Sequence, residues 1–144
     1  MEKIVVSACL LGEKVRYDGT GKSVEEIIAL SGKYELIPVC PEVLGGLPIP
    51  RPKSEIRDGR VFSIDGRDVT LEFKSGAEKV LRLCLESGAT KAILKAKSPS
   101  CGKGRIYDGT FGGILIEGNG IACDLLLENG IEVYDENDYW RINI

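Results

Sequence analysis

The chain has 144 residues, with 19 basic against 22 acidic side chains and a net charge of −3. That length is one ordinary domain, the acidic balance excludes a binder of DNA backbone, which needs dense Lys and Arg, and no apolar run reaches the roughly 18 residues that span a bilayer. Five cysteines and no histidine exclude Ser-His-Asp and Cys-His nucleophilic systems and every metal site that needs imidazole. The N-terminus enters Lys3-Ile4-Val5-Val6 without the basic and long apolar regions of a signal peptide, so the expected compartment is the reducing cytosol.

Taken in chain order, residues 4–8 form a short β-rich apolar run that stops at Cys9 and predicts a buried first strand. Residues 23–30 predict a short helix, with Ser23 as N-cap and Gly32 as its stop. Residues 35–39 predict a second strand, ending at Cys40. Five of the six prolines lie between positions 38 and 52, which predicts a stiff extended loop there. Residues 60–66 predict a small hairpin with Asp65-Gly66 as its turn. Residues 70–86 predict the longest helix, because Phe73, Ala77, Val80, Leu81, Cys84 and Leu85 fall on one face. Gly88 ends it. Residues 91–95 predict a third strand, 98–113 a polar Gly-rich loop, 114–116 a brief apolar segment, 119–128 a last helix, and 131–134 a final strand. Alternating strands and helices predict a single three-layer α/β domain over 1–144, Rossmann-like, with a mainly parallel sheet.

Cys9, Cys40 and Cys101 each stand in a loop directly after a predicted strand. Open parallel sheets bind ligands outside the carboxyl ends of their strands, so three thiols distant in sequence are expected to face one crevice. Thiol-rich chemistry without imidazole points to iron–sulfur or all-thiolate zinc. Cys84 lies on the apolar stripe of the long helix and Cys123 inside the last helix, so both are expected to pack in the core.

Two loops echo each other: Arg16-Tyr17-Asp18-Gly19-Thr20 after Cys9, and Tyr107-Asp108-Gly109-Thr110 after Cys101. Asp-Gly is turn chemistry. Beyond the turn, Tyr17 and Tyr107 are expected to wall the crevice, with Asp18 or Asp108 offering a carboxylate. Glu42, fixed beside Pro41 two residues after Cys40, has the position of a general base. Ser98, three residues before Cys101, is placed to donate a hydrogen bond to a substrate atom. Lys95, Lys97, Lys103 and Arg105 form a small basic patch that reads as solvated surface. These residues leave several readings open: a thiolate-zinc or iron–sulfur protein that binds a ligand without catalysis, a persulfide-type sulfur carrier, or a thiol-rich module for nucleotides.

The blocks Ser7-Ala8-Cys9-Leu10-Leu11-Gly12, Arg16-Tyr17-Asp18-Gly19, Cys40-Pro41-Glu42-Val43 with Gly45-Gly46-Leu47, Pro50-Arg51, Ser98-Pro99-Ser100-Cys101-Gly102 and Tyr107-Asp108-Gly109-Thr110-Phe111 together resemble the 2-thiouracil desulfidase family. They span nearly the whole chain in the family's order. The resemblance implies a 4Fe-4S cluster held by Cys9, Cys40 and Cys101, with the fourth iron left to bind the sulfur of a small thiolated base or nucleotide. It implies that sulfur leaves as sulfide without net redox change, with Glu42 and Ser98 at the substrate. The chain departs from many relatives at Val15, where they carry a further cysteine; a three-thiolate cluster does not need it.

Overall fold

The computed structural model describes residues 1–143; residue 144, the last of the expected domain, lies outside them. Its centre is a four-stranded sheet of β1 (Lys3–Ser7), β2 (Glu35–Val39), β5 (Lys91–Leu94) and β8 (Glu132–Asp135), in the order β2-β1-β5-β8. All three pairings are parallel, with Val5 opposite Ile37 and Ala92, and Ile93 opposite Tyr134. Pro38 lies in β2, an edge strand, where its missing N–H costs the ladder least.

Side chains of successive strand residues point to opposite faces, and each face is covered. Val5, Ala92, Leu94 and Val133 pack in one cluster with Val80, Cys84, Cys123 and Leu126 of α3 (Thr70–Ser87) and α4 (Ile121–Glu128). Ile4, Val6 and Ile93 pack in another with Leu10, Ile27, Tyr34 and Ile142. Each fully buried aliphatic side chain of this kind contributes about 1.5–3 kcal/mol. The result is the expected α/β arrangement, a parallel sheet between two layers. Cys84 and Cys123 are both fully buried, as expected from the apolar stripe that carries Cys84 and from the place of Cys123 inside the last helix. No helix among the described residues is long and apolar enough to cross a membrane.

Several boundaries differ from expectation. The first helix is a single α turn, α1 (Glu25–Ile28), continued as a 3-10 turn over Ala29–Gly32. Ser23 does not cap it; Val24 holds the N-cap position and its carbonyl accepts the Ile27 and Ile28 N–H groups. The proline-rich stretch is not wholly extended, because Pro41 starts a one-turn helix, α2 (Pro41–Leu44). Proline suits that first helical position, where its missing N–H has no partner to lose.

The hairpin is built from β3 (Ser54–Arg57) and β4 (Arg60–Ser63), so its turn is Asp58-Gly59. Both residues have positive φ, 51° and 75°, the conformation that two-residue hairpin turns require. Asp65-Gly66 makes a second turn beyond β4, joined back by the single bridge of Phe62 with Asp68. The predicted polar loop contains β6 (Arg105–Tyr107), which pairs antiparallel with β7 (Leu115–Glu117).

Two backbone contacts seat the loops that carry cysteines. A Cβ on Gly76, inside α3, would lie 1.8 Å from the Pro41 carbonyl oxygen, and one on Gly45 would lie 2.0 Å from that of Glu72. Only glycine lets α2 rest directly on α3. At the other loop, α4 has no side-chain cap. Its orphan N–H groups are met by carbonyls of the 99–102 turn: Gly120 N–H by Gly102, Ile121 N–H by Pro99, and Ala122 N–H by Ser100.

Candidate metal centre

Cys9, Cys40 and Cys101 line one cleft of about 570 Å³ at the carboxyl ends of β1, β2 and β5. Cys9 follows β1 in a 3-10 turn, Ala8–Leu11, and its carbonyl accepts the Gly12 and Lys22 N–H groups. Cys40 is the N-cap of α2. Cys101 is held by the turn that caps α4, and its own N–H donates to Ser98 Oγ at 3.0 Å. Cys9 and Cys101 are buried and Cys40 is half-buried; all five thiols of the chain are free.

Burial raises the three thiols. Cys9 is pushed up to about 11, against the opposing pull of the nearby Lys95 ammonium. Cys40 is raised by burial and held back by the backbone N–H groups at the start of α2. Cys101 is pushed up to about 12 by burial, although the Ser7 hydroxyl favours its thiolate. Metal-free thiols of this kind carry their protons at neutral pH, and a metal must displace them.

The donor set suits an iron–sulfur group. The three thiols are soft ligands from three separate elements, spread around a cleft. Each thiolate of a cluster goes to a separate iron, whereas a mononuclear zinc needs donors that meet at one point, about 2.0–2.3 Å away. Among the described residues no three His, Cys, Asp or Glu side chains meet closely enough to hold a single ion.

Glu42, in the first turn of α2, lines the same cleft. Its Oε1 accepts from Arg51 Nε at 3.0 Å, in an ion pair whose side chains are only 4% and 14% exposed. Its Oε2 accepts from the Ser100 hydroxyl at 2.9 Å. Ser98 Oγ accepts the N–H groups of Ser100 and Cys101 and lies 2.9 Å from Ser100 Oγ. With the Ser100 proton directed to Glu42, the Ser98 proton goes to Ser100. The expected donor to substrate is therefore also the residue that shapes the Cys101 turn.

Tyr17 and Tyr107 line the cleft, while Asp18 and Asp108 are not among its lining residues. Each aspartate instead accepts the N–H and hydroxyl of the threonine two residues on, Thr20 or Thr110. Those bonds, the hydroxyl's first, hold both carboxyls below the usual range. The echoing loops bring their tyrosines to the crevice and spend their carboxylates on the turns. The basic patch divides as well. Lys95 and Lys97 reach the cleft, which Arg16, Lys22 and Lys53 also line. Lys95 is paired with Glu136 at 2.7 Å and Lys103 with Asp138 at 3.2 Å.

Among the cleft residues that sequence reasoning did not single out for a role are Ser7, Ser100, Arg51 and Glu55. Ser7 and Ser100 stand two and one positions before a cysteine, a signal available in the sequence. Glu55 gave none. Buried on β3, it accepts the N–H groups of Gly109 and Phe111 at 3.0 Å each and so fastens the second loop to the hairpin. Val15 contributes its carbonyl, which accepts from the Cys40 thiol at 3.9 Å and from Arg51 at 2.9 Å. That backbone role is open to any side chain.

Comparison with known proteins bears on the same cleft. The family model for 2-thiouracil desulfurase matches residues 4–138. An uncharacterized protein of Bacillus subtilis (strain 168), YbbK, is 39% identical over 145 residues, covering 94% of this chain and 96% of its own. A solved structure described as the [4Fe-4S]-dependent thiouracil desulfidase TudS is 47% identical, covers 99% of this chain and 96% of its own, and superposes with a TM-score of 0.95. Matched over nearly its whole length in both sequence and fold, the chain belongs to the 2-thiouracil desulfurase family.

Proposed function

We propose that this protein is a [4Fe-4S]-dependent desulfidase that removes sulfur from a thiolated pyrimidine base or nucleotide, in the reducing cytosol where its free thiols persist. The observation that carries the reading is the convergence of Cys9, Cys40 and Cys101 with Glu42 on one cleft, in a chain 47% identical to a thiouracil desulfidase. The three cysteines are the cluster ligands. When bound, the cluster supplies a Lewis-acidic iron that polarises the carbon–sulfur bond.

The chain's own residues do the rest. Tyr17 and Tyr107 form walls between which a flat pyrimidine ring is held. Arg16, Lys22 and Lys53 add cationic groups to the lining of the cleft that suit the phosphate of a nucleotide. Glu42 takes a proton from water, and the oxygen of that water joins the ring carbon. Ser100 and Ser98, hydrogen-bonded in series to Glu42, hold its carboxylate and complete a path for that proton. The carbon–sulfur bond then breaks and sulfur departs as hydrosulfide. The balance is one C=S and one water giving one C=O and one hydrogen sulfide, with no electrons gained or lost.

The test is sulfide release from thiouracils, thiouridines and their monophosphates by anaerobically reconstituted protein, with iron and acid-labile sulfide measured per chain. Stoichiometric sulfide and the oxo-pyrimidine are the expected products. Protein that takes up one zinc and no iron, or a loaded cluster that leaves every thiolated pyrimidine intact, would overturn the reading.

A further inference from the structure

Arg51 has a small part of its surface exposed, 8%, yet it makes bonds to three separate segments. Its Nε donates to Glu42 Oε1 at 3.0 Å, its Nη1 to the Pro48 carbonyl at 3.2 Å, and its Nη2 to the Val15 carbonyl at 2.9 Å. Its backbone N–H donates to the Tyr17 carbonyl at 2.8 Å. One residue therefore ties the loop after β1, the loop after α2 and the general-base candidate to one another. A guanidinium is planar and its donors have fixed directions, so the two carbonyls set its orientation and the guanidinium in turn sets that of Glu42.

We propose that Arg51 is the positioning residue for Glu42: anchored on the Val15 and Pro48 carbonyls, it holds one carboxylate oxygen and turns the other toward Ser100 and the cleft. A glutamate side chain has three rotatable bonds, and among the described residues its other hydrogen-bond partner is the Ser100 hydroxyl. A base misplaced by about 1 Å loses on the order of a hundredfold in rate.

The kinetic arm of the test rests on the desulfidase reading; the structural arm does not. In reconstituted protein with parental iron and sulfide content, Arg51→Met is expected to lower kcat about a hundredfold and leave KM within about threefold. Arg51→Lys, which keeps the charge but not the fork, is expected to fall between Arg51→Met and the parent. In a Glu42→Gln background, Arg51→Met is expected to add little further loss, because a residue acting through another has nothing left to position. In crystals of metal-free Arg51→Met, or of Arg51→Lys where the methionine variant does not fold, the Glu42 carboxylate is expected to have left the Ser100 hydroxyl. The proposal is overturned if Glu42 keeps that contact, if kcat falls only in proportion to iron content, or if the loss is undiminished in Glu42→Gln. Parent protein that holds a cluster but releases no sulfide defeats the desulfidase reading and leaves the structural arm to decide on Arg51.

Discussion

The Ser7 hydroxyl donates to the Cys101 sulfur at 3.4 Å, joining the end of β1 to a loop 94 positions further along the chain. Its oxygen is engaged from the other side, accepting the Lys95 N–H at 2.9 Å. That second bond orients the hydroxyl, so its proton points at sulfur. Hydrogen bonds to ligating sulfurs are among the groups by which a protein sets an iron–sulfur potential.

Ser7→Ala is therefore expected to shift the potential of the reconstituted cluster to more negative values, as read by a redox titration followed by electron paramagnetic resonance. The same change leaves the Lys95 N–H without its acceptor, which costs about 1–3 kcal/mol in chemical denaturation. An unchanged potential would show that the hydroxyl does not reach the ligated sulfur.

The five cysteines divide into two classes by position, and substitution separates them. Cys9→Ala, Cys40→Ala and Cys101→Ala are each expected to lose iron and acid-labile sulfide together after reconstitution. Cys84→Ala and Cys123→Ala are expected to keep both and to lose about 1 kcal/mol, the scale of one deleted buried methyl group. A sulfur carrier would instead depend on one of the first three alone.

Glu55 holds the Gly109 and Phe111 N–H groups with a single carboxylate oxygen. Glu55→Ala is expected to raise KM for the thiolated pyrimidine and to speed amide exchange at Gly109 and Phe111. Its stability cost is about 1–3 kcal/mol for the abandoned buried Gly109 N–H and less for the part-buried Phe111 N–H. Glu55→Gln keeps an acceptor oxygen and is expected to retain most of the loop's protection in hydrogen-exchange mass spectrometry.

Gly76→Ala tests the contact of α2 with α3. Alanine in an exposed helix interior stabilises by about 1 kcal/mol relative to glycine. Here the new methyl group would meet the Pro41 carbonyl. The helices must part, and the expected result is a net loss of about 1–3 kcal/mol with weaker cluster retention at Cys40. A rise in Tm would mean that the two backbones do not touch.

Acid stability provides a test away from the cleft. Asp68 is held down to about 2 by the Thr70 hydroxyl first, then by the Thr70 N–H and Arg60. A carboxyl depressed in the folded state adds stability above its unfolded pKa, and that stability is lost as pH falls toward the folded value. The contribution is therefore whole at neutral pH and fades between roughly pH 4 and pH 2. Asp68→Asn is expected to be less stable than the parent at pH 6, with the difference narrowing across that window in urea titrations.

Much of this protein was legible from local chemistry. Strands 4–8, 35–39 and 91–95 showed as short β-rich runs with sharp ends; burial on both faces demands this of the two central ones, while 35–39 lies at the sheet edge with Glu35 and Pro38 exposed. The cysteines at those ends then had to share an edge of the sheet. Cys84 showed as core because one helical face admits only apolar groups. Less legible was β3, whose Ser54-Glu55-Ile56-Arg57 has no apolar alternation to mark it. Asp58-Gly59 and Asp65-Gly66 are the same dipeptide, and only the pairing of Ile56 with Val61 decides which one turns the hairpin.

The division at the site has the same physical cause. Residue type and position along the chain were enough to expect three thiols and Glu42 at one crevice. They were enough because soft ligands, strand ends and the lack of imidazole are properties of the chain itself. Partners are not. Glu42 meets Arg51 and Ser100, 9 and 58 positions away, and Asp18 and Asp108 turn inward to their own threonines. Which donor satisfies which acceptor depends on distances that exist only after the sheet has assembled and the loops have been seated on α3 and α4. The tertiary structure therefore decided which carboxylates face the cleft, and in what orientation.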